Sequence, residues 1–281
     1  MRRIGLVLLA ATGLAGVGAV ASAADLGIPV KAPAYAPPPA FSWSGGYIGG
    51  NIGGLWSRSQ LDPIAQFLSG PAPGGVCASG VCGLSFQTET DSSLVGGFQS
   101  GLRWQWSSIV LGVEQDFQWA DVNRSFTAAA PGPTSIGPFQ TGDTFSTKLE
   151  WQSATKAQVG FAWDRFLIYA TGGLQTAAMS TSAFFVGDAG VRATPALSFS
   201  NDNKYHIGWT AGGGAEWAVT NSVSIGIEGR YFDLGSETYN LGAFQGSSGR
   251  VWAASTEVDL KGWQVTGRIN IKTSDLLRMF F

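Results

Sequence analysis

Residues 205–235 alternate so regularly that few folds can hold them. Ile207, Trp209, Ala211, Gly213, Ala215 and Trp217 are apolar or small, and Gly208, Thr210, Gly212, Gly214 and Glu216 lie between them. Residues 218–222 read as a turn. Beyond it Val223, Ile225, Ile227, Gly229 and Tyr231 form one face, and Ser224, Gly226, Glu228, Arg230 and Phe232 the other. Side chains of a strand point alternately to opposite faces, so a period of two makes a hairpin with one apolar face and one polar, glycine-rich face. Both strands are long, the apolar face ends in aromatics, and the other face carries Glu216, Glu228 and Arg230. Apolar outward and polar inward is the pattern of a transmembrane β-barrel.

The rest of the chain repeats it. Strands are expected over residues 46–56, 94–106, 109–121, 145–162, 166–177, 205–217, 223–235 and 259–272. Short turns at 107–108, 164–165 and 218–222 alternate with four long connections, 57–91, 122–144, 178–204 and 236–258. An even number of antiparallel strands can close, which leaves no sheet edge in lipid. The expected fold is therefore all-β: an eight-stranded antiparallel transmembrane barrel over residues 45–272, with short periplasmic turns and long extracellular loops. Alternation turns Arg103, Glu114, Asp116, Lys148, Glu150, Lys156, Glu216, Glu228, Arg230 and Arg268 into the lumen. Interior side chains can fill an eight-stranded barrel. Opposite charges paired there make a closed plug, and the same groups lining a gap make a narrow pore.

Composition fits lipid on one side of the sheet. Charged residues are 13% of the chain, against the ~25% usual in soluble domains, and there are 40 glycines, 11 tryptophans and 17 phenylalanines. A net charge of −2 argues against a nucleic-acid partner. Arg2 and Arg3, the apolar run 4–20 and Ala21-Ser22-Ala23 read as a secretory signal over residues 1–23, a retained anchor being the alternative. Residues 24–44 hold Pro29, Pro33, Pro37, Pro38 and Pro39 and read as an extended periplasmic linker, with peptidoglycan or another partner within its reach. On an oxidising route Cys77 and Cys82 most simply form one loop disulfide, since no histidine or third thiol lies near to complete a metal site.

Little points to catalysis. His206 is the single histidine and is expected where a strand begins beside a loop. Glu114 and Asp116 share a face at i, i+2, as alternation alone would place them. Gly212-Gly213-Gly214 lies within a strand and so is no phosphate-cradling loop. No cofactor or metal is expected, and the chain is expected to be a non-catalytic monomer.

Three segments carry a family resemblance: Phe41-Ser42-Trp43-Ser44-Gly45-Gly46-Tyr47-Ile48-Gly49-Gly50-Asn51, Asp164-Arg165-Phe166-Leu167-Ile168-Tyr169-Ala170-Thr171-Gly172-Gly173, and residues 208–217 with 228–235. With the Ala23-Ala24-Asp25-Leu26 junction they resemble the alphaproteobacterial outer-membrane proteins of the outer membrane immunogenic protein, or porin-opacity, type. The resemblance covers the signal and strands but not the four long connections. It implies an abundant surface protein of the cell outer membrane, set among lipid and lipopolysaccharide, tied to envelope integrity and recognised by host immunity. It carries over no catalytic or cofactor residue. Family members end on a strand closing with an aromatic that the barrel-assembly machinery reads. Here strand eight ends near Lys272 and a tail, 273–281, follows, with Phe281 as the available aromatic. A small diffusion channel and a loop-borne adhesin or ligand-binding protein are the competing functions.

Overall fold

Long strands set the shape of the molecule. The computed structural model describes residues 41–73, 79–83, 89–128, 139–186, 197–245 and 249–274. The expected signal 1–23, the expected linker 24–44 up to residue 40, Cys77 and the expected tail 273–281 from residue 275 on lie outside the described residues. The strands are β1 Gly45–Ser69, β2 Val81–Gly83, β3 Glu89–Trp106, β4 Ile109–Thr127, β5 Thr144–Trp163, β6 Phe166–Phe185, β7 Leu197–Ala218, β8 Val223–Gln245 and β9 Val251–Lys272. All pairings are antiparallel, and β1 closes on β9 to make a ring of β1 and β3 through β9. Short β2 lies against β1 at residues 64–66, beyond the reach of β3.

Among the described residues, the four connections expected to be long loops are largely strand. β1 alone runs 25 residues, whereas crossing a bilayer takes about 9–11. The polarity of the wall shows where the membrane stops. From the short-turn end up to Trp56, Trp119, Trp151, Trp209, Tyr231 and Trp263, the outer face is mainly apolar and the inner face mainly polar. Trp209, Tyr231 and Trp263 touch in a row, with centroids 5.5 Å apart for Trp209–Tyr231 and 5.0 Å for Tyr231–Trp263. Above the ring the pattern inverts. Phe126, Phe145, Phe185, Tyr239, Phe244 and Trp252 are buried in one apolar core, while Asn123, Ser125, Lys148 and Glu257 face out.

The wall also divides there. Among the described residues, β3–β4 pairing stops at Val95↔Ala120 and β7–β8 pairing at Trp209↔Asp233. Above those points β4–β5–β6–β7 and β8–β9–β1–β3 continue as separate sheets, with the apolar core between them. The upper tier is thus built like a water-soluble β-sandwich on a membrane barrel.

Bulges turn the faces of β5 and β8 between the tiers, because one extra residue moves every later side chain to the other side, whereas β4 and β9 alternate without a break. The register slips at Leu149/Trp151 in β5, and at Asp233/Ser236 and Asn240/Ala243 in β8. Gly235 and Gly242, at the two β8 slips, have φ +64° and +86°, a region open to glycine.

Candidate functional site: the charged lumen

Beneath the aromatic ring, inward positions of every barrel strand except β6 and β1 supply charge, and those two supply tyrosines. Arg103 comes from β3, Glu114 and Asp116 from β4, Lys156 from β5, Glu216 from β7, Glu228 and Arg230 from β8 and Arg268 from β9; all are buried. Four cations and four carboxylates sum to zero. Arg103 meets Glu216 through both ends of its guanidinium, at 2.6 and 2.9 Å. Lys156 Nζ lies 3.0 Å from Glu114 Oε1, 3.0 Å from Asp116 Oδ2 and 2.5 Å from Glu228 Oε1. Arg230 binds Asp116 at 2.5 Å, and Arg268 binds Glu228 at 2.5 Å and also Glu114. The hydroxyl of Tyr47 donates to Glu114 at 2.5 Å and that of Tyr169 to Glu228 at 3.1 Å. Charges taken from water are costly unless paired and hydrogen-bonded, and here each meets an opposite charge.

Amides cap this layer on the side of the apolar core. Gln152 donates to Gln264 at 2.7 Å and Gln118 at 2.8 Å, and Gln175 donates to Gln152 at 2.9 Å. Arg230 ties them to the charges through Gln118 at 2.8 Å. At the short-turn end Trp43 is buried, its indole N–H on the Asp164 carbonyl at 3.2 Å and its backbone N–H on Gln105 at 2.7 Å. The stretch expected to be linker up to residue 44 therefore ends as a stopper. The Arg103 guanidinium lies over the Tyr47 ring at 4.3 Å and the Trp43 ring at 5.6 Å.

Two residues expected in the lumen are elsewhere. Lys148 is on the outer surface, its side chain 50% exposed and 4.0 Å from Asp121. Glu150 is half-exposed at the β5 bulge, outside the buried network. The extra residue at Leu149/Trp151 is the cause: odd-numbered residues face in above it and even-numbered ones below. His206 is not at a strand start beside a loop. It is fully buried within β7, its Nε2 3.0 Å from the Tyr239 hydroxyl. Arg124, assigned by sequence to a loop, is buried in β4 and reaches the Ser57 carbonyl. The alternation of Val122, Arg124 and Phe126 was the signal for it. Cys82 is disulfide-bonded.

Glu114, Asp116 and Glu228 are close enough to hold a cation, with one oxygen of each within 4.8 Å of the others. The Lys156 ammonium already stands among them. The paired carboxylates of the sequence are thus neutralised by lysine and arginine.

A closed ring of amphipathic strands around a polar lumen has a family counterpart. The family model described as outer membrane protein beta-barrel domain matches residues 8–266. The chain belongs to this family. Outer membrane beta-barrel relatives include the 31 kDa outer-membrane immunogenic protein of Brucella melitensis, 35% identical over 73% of this chain and 77% of that protein. The 25 kDa outer-membrane immunogenic protein of Brucella abortus is 24% identical over 86% of this chain and 90% of its own length. Among solved structures, the outer membrane protein OprG from Pseudomonas aeruginosa is similar at 12% identity and TM-score 0.42, over 82% of this chain and 96% of that one. As an outer membrane beta-barrel protein, the chain resides in the cell outer membrane, and its apolar band faces lipid.

Proposed function

We propose that the protein is a closed, non-catalytic barrel that strengthens the envelope and displays its upper tier at the cell surface, as the names of its immunogenic relatives suggest for them. The observation that carries this reading is the neutral, mutually bonded charge layer between the Trp43 stopper and the apolar core. Side chains that fill the cross-section in this way support a closed lumen. Short turns of outer-membrane barrels face the periplasm, which points the two-sheet tier outward, past lipopolysaccharide and toward a host surface. The short-turn end then faces peptidoglycan, and the barrel-assembly machinery inserts the chain.

Planar-bilayer recording tests the closed state. The refolded protein should show no unitary current steps, and Glu114→Gln with Arg230→Gln should introduce them by loosening the plug. Steady steps from the unaltered protein, changed in size by the same substitutions, would replace the plug with a small pore.

A further inference from the structure

The lipid-facing band has one polar region. Among the described residues, outward positions between the two ends of the band are apolar, glycine or alanine except on β3, β4, β5 and the neighbouring edge of β6. There Ser100, Gln115 and Thr155 stand side by side in the register Ser100↔Gln115↔Thr155, with Ser153 next along β5. Gln115 falls midway along the outward row of β4, between Val113 and Phe117. Its Nε2 donates to Ser153 Oγ at 2.7 Å and to the Asp116 carbonyl at 3.2 Å, its Oε1 accepts the Thr155 hydroxyl, and Ser153 donates to the Asp116 carbonyl at 2.7 Å. Beside these residues lies a surface groove of about 370 Å³, lined also by Gly46, Ile48, Leu102 and Val113.

We propose that this face is a self-association surface on which a second copy of the chain docks within the bilayer, making the protein a dimer rather than the monomer expected from its sequence. Hydrocarbon chains offer no hydrogen bonds to an amide or a hydroxyl, and a water-soluble partner does not reach this depth. The occupant is therefore itself embedded in the membrane. The amide N–H groups of Gln115 and the hydroxyl protons of Ser153 and Thr155 are used within the chain, so Ser100 is the donor and Gln115 Oε1 the acceptor that can match their copies across a two-fold axis. An amide oxygen has two acceptor positions, and Gln115 Oε1 uses one on Thr155, leaving the other for a hydroxyl of the facing copy. Gly46, Ser100 and Thr155 along the groove are small enough to let the two walls approach, and polar groups join them, as in packed transmembrane helices.

Cysteine cross-linking in lipid vesicles tests the surface on the full-length protein. Cys82 is disulfide-bonded and does not compete. Ser100→Cys should give disulfide-linked dimers on oxidation, whereas Ile227→Cys, an exposed position on β8 across the barrel, should not. Sedimentation equilibrium in density-matched detergent should show a dimer whose dissociation constant rises about tenfold in Gln115→Leu, two symmetry-related clusters being lost together. A monomer at every concentration, equal cross-linking at positions 100 and 227, or a dimer unchanged by Gln115→Leu would each overturn the proposal. Should Gln115→Leu not fold, the two cysteine variants still decide the matter.

Discussion

Lys156 and Lys148 are eight residues apart along β5 and live in different worlds. The first touches three buried carboxylates, and the second stands on the outer surface beside Asp121. Removing one member of a buried ion network leaves its partners uncompensated, at about 3–5 kcal/mol, while exposed pairs contribute about 0–1 kcal/mol. Lys156→Met should therefore lower unfolding stability in detergent by about 3–5 kcal/mol, and Lys148→Met by less than about 1 kcal/mol. Urea titration followed by the mobility difference between folded and unfolded barrels on gels measures both. Equal losses would place both lysines in one environment, against the geometry.

At the scale of elements, the tight turns that link strands at the lower end differ in strain. Ser107 and Asp164, each first in a two-residue connection, have φ +54° and +51°. A positive φ at that position is the geometry of a type II′ turn, where glycine is preferred because it has no Cβ to crowd the backbone. Ser107 contributes its carbonyl, which accepts from Gln105 at 2.7 Å, and glycine keeps that carbonyl. Ser107→Gly should raise stability by about 0.5–1 kcal/mol in the same titration; a loss would mean that the serine side chain matters more than its backbone angle. Inward glycines serve another purpose. A Cβ at Gly53 would overlap the Val265 carbonyl of the adjacent strand, so glycine there lets the wall curve into a narrow ring.

For the whole molecule, the two tiers rest on different physics. The lower tier is held by lipid outside and paired charge inside, the upper by an apolar core with water outside. Phe145 is fully buried in that core, with its ring 5.8 Å from Phe139 and 5.8 Å from Phe185. Phe145→Ala should cost the upper tier about 3–5 kcal/mol. The expected result is faster protease cleavage of the outer hairpins in intact vesicles, with the membrane barrel still folded on gels. Loss of the folded band together with the hairpins would make the tiers a single cooperative unit.

How much of this the chain declares depends on range. Polarity with a period of two is local, so the eight membrane strands and their lipid faces could be read from Ile207 to Trp217 and from Trp263 to Ile271. Alternation also set Arg103, Glu114, Asp116, Glu216, Glu228, Arg230 and Arg268 inward. It failed at Lys148 and Glu150, because a bulge shifts the period without changing composition. It also missed the upper strands, whose faces carry the opposite polarity from those below and so resemble loops to an eye trained on lipid. Partner choice needed closure of the ring. Arg103 meets Glu216 across 113 residues and Arg268 meets Glu114 across 154. Sequence by itself determined which side chains enter the lumen wherever the strand runs without a bulge. Only the tertiary structure decided which of them touch, because strand register and the circular order of the wall set those distances.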